Sequence, residues 1–399
     1  MGTDSGTKSY DIFGFDDETN EVIADESIPR DYMVRDPGAV LRRLKEIVRE
    51  KGVDAVVASS GYGIPLKLAR EASDEEIALA TFISAEDAAK GHRILGLRRL
   101  LKMIKEEPEL RDITYFTPGV VQLPTVPAYR KLNRVDMGTS DKVYSAALAI
   151  ARHAEAFNLS YNDVNLIVVE VGFAYTSAMA VSSGQLVDGV AGTAGFPGYL
   201  GSGCVDGEVA YAISNVSRIT KEMLFAGGAA YLGQGNPFTR PVEDFVSSGG
   251  DGYRALIESA AKDVMSLLVS TRPQAVYVSG RFSRIEGFVD DLGRAINGGL
   301  QGLWTGLRVV KLKASGRVAK EAAEGAAVIA NGLAGGRYRK LVDVMRLRES
   351  SGSIFDYVTM FDREELRRAY SRLLGVDPEP RAMPEGYQQS YGSGKGTQQ

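Results

Sequence analysis

The stretch Asn165 to Gly195, NLIVVEVGFAYTSAMAVSSGQLVDGVAGTAG, decides the fold. An apolar run from Leu166 to Val169 ends at an acid, Glu170, followed by Gly172 and a hydroxyl at Thr176. A second apolar run continues through Val181, Ser-Ser-Gly-Gln turns the chain, and a third strand-like segment starts at Leu186. An acid and a glycine at the tip of one strand, with hydroxyls opening the next, make a phosphate grip. The glycine lets backbone N–H groups approach phosphate oxygens, and the acid can hold a divalent cation or its water.

The N-terminus repeats the pattern. MGTDSGTKSYDIFGFD has an acid at Asp4, a glycine at Gly6, hydroxyls at Thr7 and Ser9, and an apolar run from Tyr10 to Phe15. Asp17 to Asn20 turns the chain, and Glu21 to Ile28 resumes as a strand. Aligning Asp4-Ser-Gly6 with Glu170-Val-Gly172 brings both hairpins and both third strands into step. A repeat this far apart predicts two copies of one domain, because a solenoid would repeat every few tens of residues. Two such loops facing each other across a cleft would clamp a polyphosphate from both sides.

Composition narrows the partners. The chain has 399 residues, 44% hydrophobic and 25% charged, enough for two domains with their own cores. Net charge is −4, and lysine and arginine form no block apart from helical faces, so neither nucleic acid nor an anionic membrane is expected as a partner. The single cysteine, Cys204, leaves no intramolecular disulfide, and with only His92 and His153 beside it no structural zinc site is expected. No signal peptide or membrane-spanning run is read, so the expected location is cytoplasmic.

In chain order, Pro37 and Gly38 open a helix with an apolar stripe at Val40, Leu41, Leu44, Ile47 and Val48, and Gly52 stops it. Val53 to Ala58 reads as a buried strand, parallel to the first because a helix fills the crossover. Ser59 to Pro65 then forms either a ligand loop at that strand's carboxyl end or a plain turn. Residues 66–112 read as helical, with His92 and Arg93 as surface or site residues, and Ile113 to Phe116 as a strand. Prolines at 118, 124 and 127 make the next segment a loop, where Arg130, Lys131 and Arg134 cluster as binding groups or as a solvated patch. Val143 to Phe157 and Val318 to Leu333 are helices rich in small residues; they would cross at a hinge, one closing each domain. Gly189 to Gly207 reads as a loose loop lying over substrate, followed by helices near 207–233 and 252–270. The strand Gln274 to Ser279 ends at Gly280-Arg281, where a flat ring could approach the backbone and an arginine stack on it, and Arg308 to Leu312 is the last strand. A helix is expected at Leu366 to Leu374, and a disordered tail from Pro378.

Asp4-x-Gly6-Thr7-x-Ser9, the Glu170-x-Gly172 hairpin, the Ser279-Gly280 strand end and the Ala/Gly helix at 321–330 resemble the superfamily of acetate kinase, sugar kinases, heat-shock chaperone ATPases and actin. Within it, VDAVVASSGYGIPL, the Gly-Thr-Ser segment at 138–140 and AEGAAVIA look like short-chain acyl kinases, and like an archaeal family labelled predicted butyrate kinase. The resemblance implies an α/β fold of two tandem RNase H-like (actin-like ATPase) domains, at 1–158 and 159–336, with a helical extension and tail at 337–399. It implies ATP- and Mg²⁺-dependent phosphoryl transfer to a short-chain carboxylate, by a protein that is commonly a homodimer. A nucleotide-binding ATPase-type switch without acyl kinase activity is the alternative.

By position, Asp4 and Glu170 would serve the metal. Gly6, Thr7, Lys8 and Ser9, with Gly172 and Thr176, would hold phosphates, and Gly280 and Arg281 would border adenine. Acyl kinases are expected to place arginines at the moving phosphoryl group. This sequence has Ser59, Ser60 and Ser202 at those places, and Phe173 after Gly172. Lys8, Arg130, Arg134 or Arg281 would substitute, with Arg134 the catalytic candidate. Asp136 is the candidate base for a hydroxyl acceptor, or else a cap of the following helix.

Overall fold

The structure is a computed structural model that describes residues 1–84, 96–301 and 306–380. The two hairpins found in the sequence become the centres of two sheets. The first contains β1 (Gly2–Ser5), β2 (Ser9–Phe15), β3 (Val22–Pro29), β4 (Val56–Ala58), β5 (Lys67–Leu68) and β6 (Thr114–Phe116), in the order β3-β2-β1-β4-β6-β5. The second contains β7 (Leu166–Val171), β8 (Thr176–Ser182), β9 (Gln185–Ala191), β10 (Ala275–Ser279) and β11 (Val309–Lys311), in the order β11-β10-β7-β8-β9. Read from the third hairpin strand inward, the two orders coincide. In both sheets the hairpin strands pair antiparallel, and the strands beyond, β4 and β6 or β10 and β11, pair parallel.

The repeat extends to register. Asp4 lies opposite Asp11, and Glu170 opposite Ser177, at equivalent positions of the two hairpins. Each second strand also slips against its third strand at the equivalent point, between Gly14 and Phe15 and between Ala180 and Val181. A bulge at one place in both copies bends both hairpins the same way. The two acids occupy equivalent positions near the carboxyl ends of the two first hairpin strands.

Local signals set the helices. Asp36 caps Pro37–Lys51 by accepting from the Ala39 N–H at 3.0 Å, proline occupies the first turn, and Gly52 ends the helix at φ 62°. Val40, Leu44 and Ile47 are its buried face. The helices Ser140–Phe157 and Glu321–Leu333 are buried over almost their whole length and pack against each other. A Cβ added at Gly325 would stand 1.9 Å from the Tyr144 carbonyl oxygen, so small side chains are what allow the two backbones to meet. Ser140–Phe157 also touches β7 and β8 of the second sheet, while Glu321–Leu333 lies on β1, β2 and β4 of the first. Each contiguous half of the chain thus lends its small-residue helix to the sheet of the other half.

Several expectations change. The strand expected from Val53 begins at Val56, and β1 offers it only Gly2 as a ladder partner. Among the described residues of 66–112, Lys67–Leu68 is a strand and the helices are Asp74–Thr81 and Gly96–Glu106; His92 and Arg93 lie outside the described residues. The glycine-rich stretch from Gly189 is packed, not loose. Gly189 is inside β9, where a Cβ would meet the Met137 carbonyl oxygen at 2.0 Å, and Gly198 and Gly201 are hydrogen-bonded to each other at 3.0 Å. These glycines serve close backbone approach. The extension packs on the first half through helix Arg363–Leu373, whose buried Arg367 pairs with buried Glu75. The expected tail lies, from residue 381, outside the described residues. Among the described residues no helix is long and apolar enough to cross a membrane.

Candidate active site

The two hairpin tips face each other across a cavity of about 620 Å³ lined by both halves of the chain. Asp4, Gly6, Thr7, Lys8 and Ser9 enter from the first tip, and Glu170, Gly172 and Thr176 from the second. Asp136, Gly280 and Arg281 complete the set of sequence-predicted residues that line it. Arg134 does not line it. It sits half-buried in a turn whose N–H donates to the Lys131 carbonyl at 3.0 Å. Arg130 is also turned away, donating to the Val187 carbonyl at 2.8 Å.

Each tip is closed by the same bond. The Gly6 N–H donates to the Ser9 carbonyl, and the Gly172 N–H to the Tyr175 carbonyl, both at 2.9 Å. The glycine amides are therefore used inside the turns, contrary to the expectation that they point at a ligand. Gly6 matters for space instead: a Cβ there would stand 2.2 Å from Lys320 Nζ. Two of the expected phosphate-holding hydroxyls are also engaged, Ser9 donating to Asp11 at 3.3 Å and Thr176 to Asp263 at 2.7 Å. Thr7 is the exposed one at the tip.

The chief feature missed in the sequence is a pair of lysines. Lys320 Nζ lies 3.0 Å from Asp4 Oδ2 and 3.1 Å from Asp11 Oδ2. Lys142 Nζ lies 2.8 Å from Glu170 Oε1 and also bonds Asp141. Lys142 stands in the first turn of Ser140–Phe157, and Lys320 immediately before Glu321–Leu333. Each exchanged helix thus delivers one lysine to the acid at the other half's hairpin tip. Against the cost of burial, Asp141 and Glu170 hold the Lys142 ammonium strongly protonated, and Asp4 and Asp11 do the same for Lys320. Burial pushes the Asp4 carboxyl up to about 6, although Lys320 pulls the other way.

Further cations ring the cleft. Lys8 Nζ stands 4.1 Å over the Phe173 ring, and the Arg281 guanidinium faces the same ring at 5.8 Å. Phe173, a departure from the expected pattern, thereby bridges the first tip to the loop after β10. Arg30 reaches the first tip through the Gly6 carbonyl at 3.5 Å, and Arg284 donates to the Ala319 carbonyl at 3.0 Å beside Lys320. The three serines at expected arginine places differ in position. Ser59 lines the cavity, Ser60 is buried and accepts from the Thr117 N–H at 3.1 Å, and Ser202 is outside the lining and donates to the Gly203 carbonyl at 3.1 Å. Gly61 and Tyr62 line the cavity, so the loop after β4 reaches the site.

Two buried carboxyls underlie the second half. Asp136 accepts from the Thr193 N–H at 3.0 Å, and burial pushes it up to about 6. Asp263 is fully buried, accepts from the Phe196 N–H at 3.0 Å as well as from Thr176, and is likewise pushed by burial up to about 6, from 3.8. A carboxyl whose folded pKa is raised stabilises most below its unfolded value and loses that contribution as pH rises through the folded one. Asp263→Asn keeps the acceptor for Phe196 and ends the titration. Its stability relative to the parent should therefore improve by about 2 kcal/mol from about pH 4 to about pH 8 in urea denaturation. Parallel curves would show that Asp263 does not titrate there.

Among the described residues no three His, Cys, Asp or Glu side chains are grouped as a metal ligand set. Asp4 Oδ1 is nevertheless buried without a hydrogen-bond partner, whereas Glu170 has one oxygen on Lys142 and the other accepting from Ser145 at 3.2 Å.

A family model described as "Protein of unknown function (DUF1464)" matches residues 2–360. No curated protein matches the sequence. Among solved structures, a propionate kinase from Francisella tularensis subsp. tularensis SCHU S4 is similar with a TM-score of 0.55 at 16% identity, covering 82% of this chain and 97% of its own. An acetate kinase from Porphyromonas gingivalis is similar with a TM-score of 0.53 at 14% identity, covering 82% of this chain and 98% of its own. These likenesses, together with the duplicated sheets, give the fold as two tandem actin-like ATPase domains.

Proposed function

We propose that this chain, which belongs to the DUF1464 family, is an ATP-dependent phosphotransferase that acts on a short-chain carboxylate and forms an acyl phosphate. The observation that carries the reading is the pair of duplicated tips, each with a carboxylate–lysine pair, facing one cavity. Phosphoryl transfer depends on placing groups and neutralising charge, and little else is asked of the protein. Lys8, Lys142 and Lys320 bring positive charge to the tips from both sides of the cavity. The likeness to a propionate kinase and an acetate kinase supports an acyl acceptor. A carboxylate acceptor is already ionised at neutral pH and needs no base. Its oxygen would attack the γ-phosphorus while the bond to the β–γ bridging oxygen breaks, leaving ADP.

Magnesium fits one side of this arrangement. Asp4, Asp11, Asp141 and Glu170 outnumber the two lysines that pair with them, so a polyphosphate entering here brings excess negative charge. Mg²⁺ keeps most of its waters and takes only one or two carboxylates beside substrate phosphates. Asp4, with its unpartnered oxygen, would hold it; Glu170, with both oxygens engaged, is no longer expected as a direct ligand. Bound there, the ion would neutralise charge on the transferring phosphoryl group.

A hydroxylamine trap tests the reading. With ATP, Mg²⁺ and a panel of short-chain acids, the protein should yield hydroxamate with at least one acid. Nucleotide binding without hydroxamate from any acid of the panel would exclude the carboxylate acceptor.

A further inference from the structure

The segment that carries Lys320 to the first hairpin tip is held by its backbone. All five N–H groups from Ser315 to Ala319 are taken by two carboxylates. Glu324 accepts from Ser315 at 2.6 Å and from Gly316 at 3.4 Å. Asp25 accepts from Arg317 at 2.7 Å, from Val318 at 3.1 and 3.2 Å, and from Ala319 at 2.7 Å. Glu324 belongs to the helix into which the segment leads, whereas Asp25 belongs to β3, 294 residues from Ala319 in the chain. The first carboxylate shapes the segment, and the second ties it to the sheet of the other half.

Local preference accounts for neither end of this tie. Aspartate is disfavoured inside a strand, yet Asp25 stands in the middle of Val22–Pro29. It lies opposite Phe13 across the β2–β3 ladder, so both side chains leave the sheet on the same face. Phe13 is buried there against Ala319, Ala323 and Ala327. That apolar contact presses the start of helix Glu321–Leu333 onto the sheet, and Asp25 fixes where along the sheet the helix begins. Lys320 occupies the N-cap of this helix, where Ser, Thr, Asp or Asn is preferred, and its side chain makes no capping bond. The helix start is therefore set from outside the helix, by Asp25, and the lysine side chain reaches Asp4 and Asp11 instead.

We propose that Asp25 is a positioning residue for Lys320. By anchoring the N–H groups of Arg317, Val318 and Ala319, it holds the Lys320 ammonium at the first tip and so sets the affinity for nucleotide, an inference that rests on the reading above that the tips hold the nucleotide phosphates. Lys320 lines the cavity and Asp25 does not, so a change at Asp25 reaches the ligand through this segment or through long-range charge. The two routes have opposite signs. By charge alone, removing a carboxylate favours a nearby polyphosphate, whereas releasing Lys320 disfavours it.

The test is a double-mutant cycle between Asp25→Ala and Lys320→Met, read by calorimetric titration with ATP and Mg²⁺ and by urea denaturation. In the parent, Asp25→Ala should raise the Kd for ATP about tenfold, and Asp25→Asn, which keeps one acceptor oxygen, should raise it less. In the Lys320→Met background Asp25→Ala should change the Kd by less than about twofold, because no ammonium is left to misplace. If Asp25→Ala does not fold, Asp25→Asn takes its place in the cycle. A Kd that is unchanged or lowered in the parent, or raised by the same factor in both backgrounds, would overturn the assignment. If the parent protein binds no ATP, the phosphotransferase reading fails on its own, and the urea midpoints decide Asp25 separately. A smaller midpoint shift in the Lys320→Met background than in the parent supports the assignment, and equal shifts overturn it.

Discussion

Gly325→Val should destabilise the protein by more than about 3 kcal/mol, beyond the usual range for overpacking a core. An added Cβ at this position stands 1.9 Å from the Tyr144 carbonyl oxygen and 2.5 Å from its carbon. Both are backbone atoms of the facing helix, so no side-chain rotation relieves the clash. Nor can helix Glu321–Leu333 retreat, because Gly2 of β1 closes its other side, with a Cβ there meeting the Ala327 nitrogen at 2.2 Å. The helix is clamped between the first sheet and Ser140–Phe157, and separating it would open the core that joins both halves. A urea midpoint read by fluorescence measures the loss. Gly207→Ala, where an added Cβ meets nothing within 4 Å, is the control and should stay within about 0.5 kcal/mol of the parent. Equal midpoints for Gly325→Val and the parent would mean that the helices are not in contact as described.

Lys320→Met should cost about 3 kcal/mol of stability at neutral pH and weaken ATP binding on the order of 100-fold. The lysine is the cation shared by Asp4 and Asp11, whose side chains are 4% and 1% exposed. Removing it leaves two buried carboxyls with their mutual repulsion. The pH dependence follows from the sign of the Asp4 shift. With the folded value at about 6, Asp4 stabilises most in acid and loses that contribution as pH rises. Without Lys320 the folded value moves higher still, so the loss extends to higher pH. The defect should accordingly be smallest near pH 5 and largest near pH 8, in both urea midpoint and ATP titration. A pH-independent defect would mean that Asp4 is not the group Lys320 compensates.

The duplication was legible because an acid, a glycine and two apolar runs recur in step at Asp4 and at Glu170, and the period-two pattern leaves little freedom in register. The exchanged lysines were not, because Lys320 meets Asp4 across a sequence separation of 316. A signal was nonetheless present. Each small-residue helix carries a lysine at its positive end, Lys142 or Lys320, where the helix dipole disfavours one. A cation placed against that field indicates an anion nearby. Glycine misled in the stretch from Gly189, since flexibility and close packing call for the same residue, and only the neighbours of Gly189 and Gly198 separate the two. Arg134 stands out in a local cluster of charge, but which way a proline-rich loop turns its side chains depends on packing distant in sequence.

A crystal structure with a non-hydrolysable ATP analogue and Mg²⁺ would test the clamp itself. The account predicts a triphosphate lying between the Gly6–Ser9 and Gly172–Tyr175 turns, with Lys320 and Lys142 within hydrogen-bond reach of its oxygens. A nucleotide bound away from this cleft, or one touched by a single tip, would contradict it.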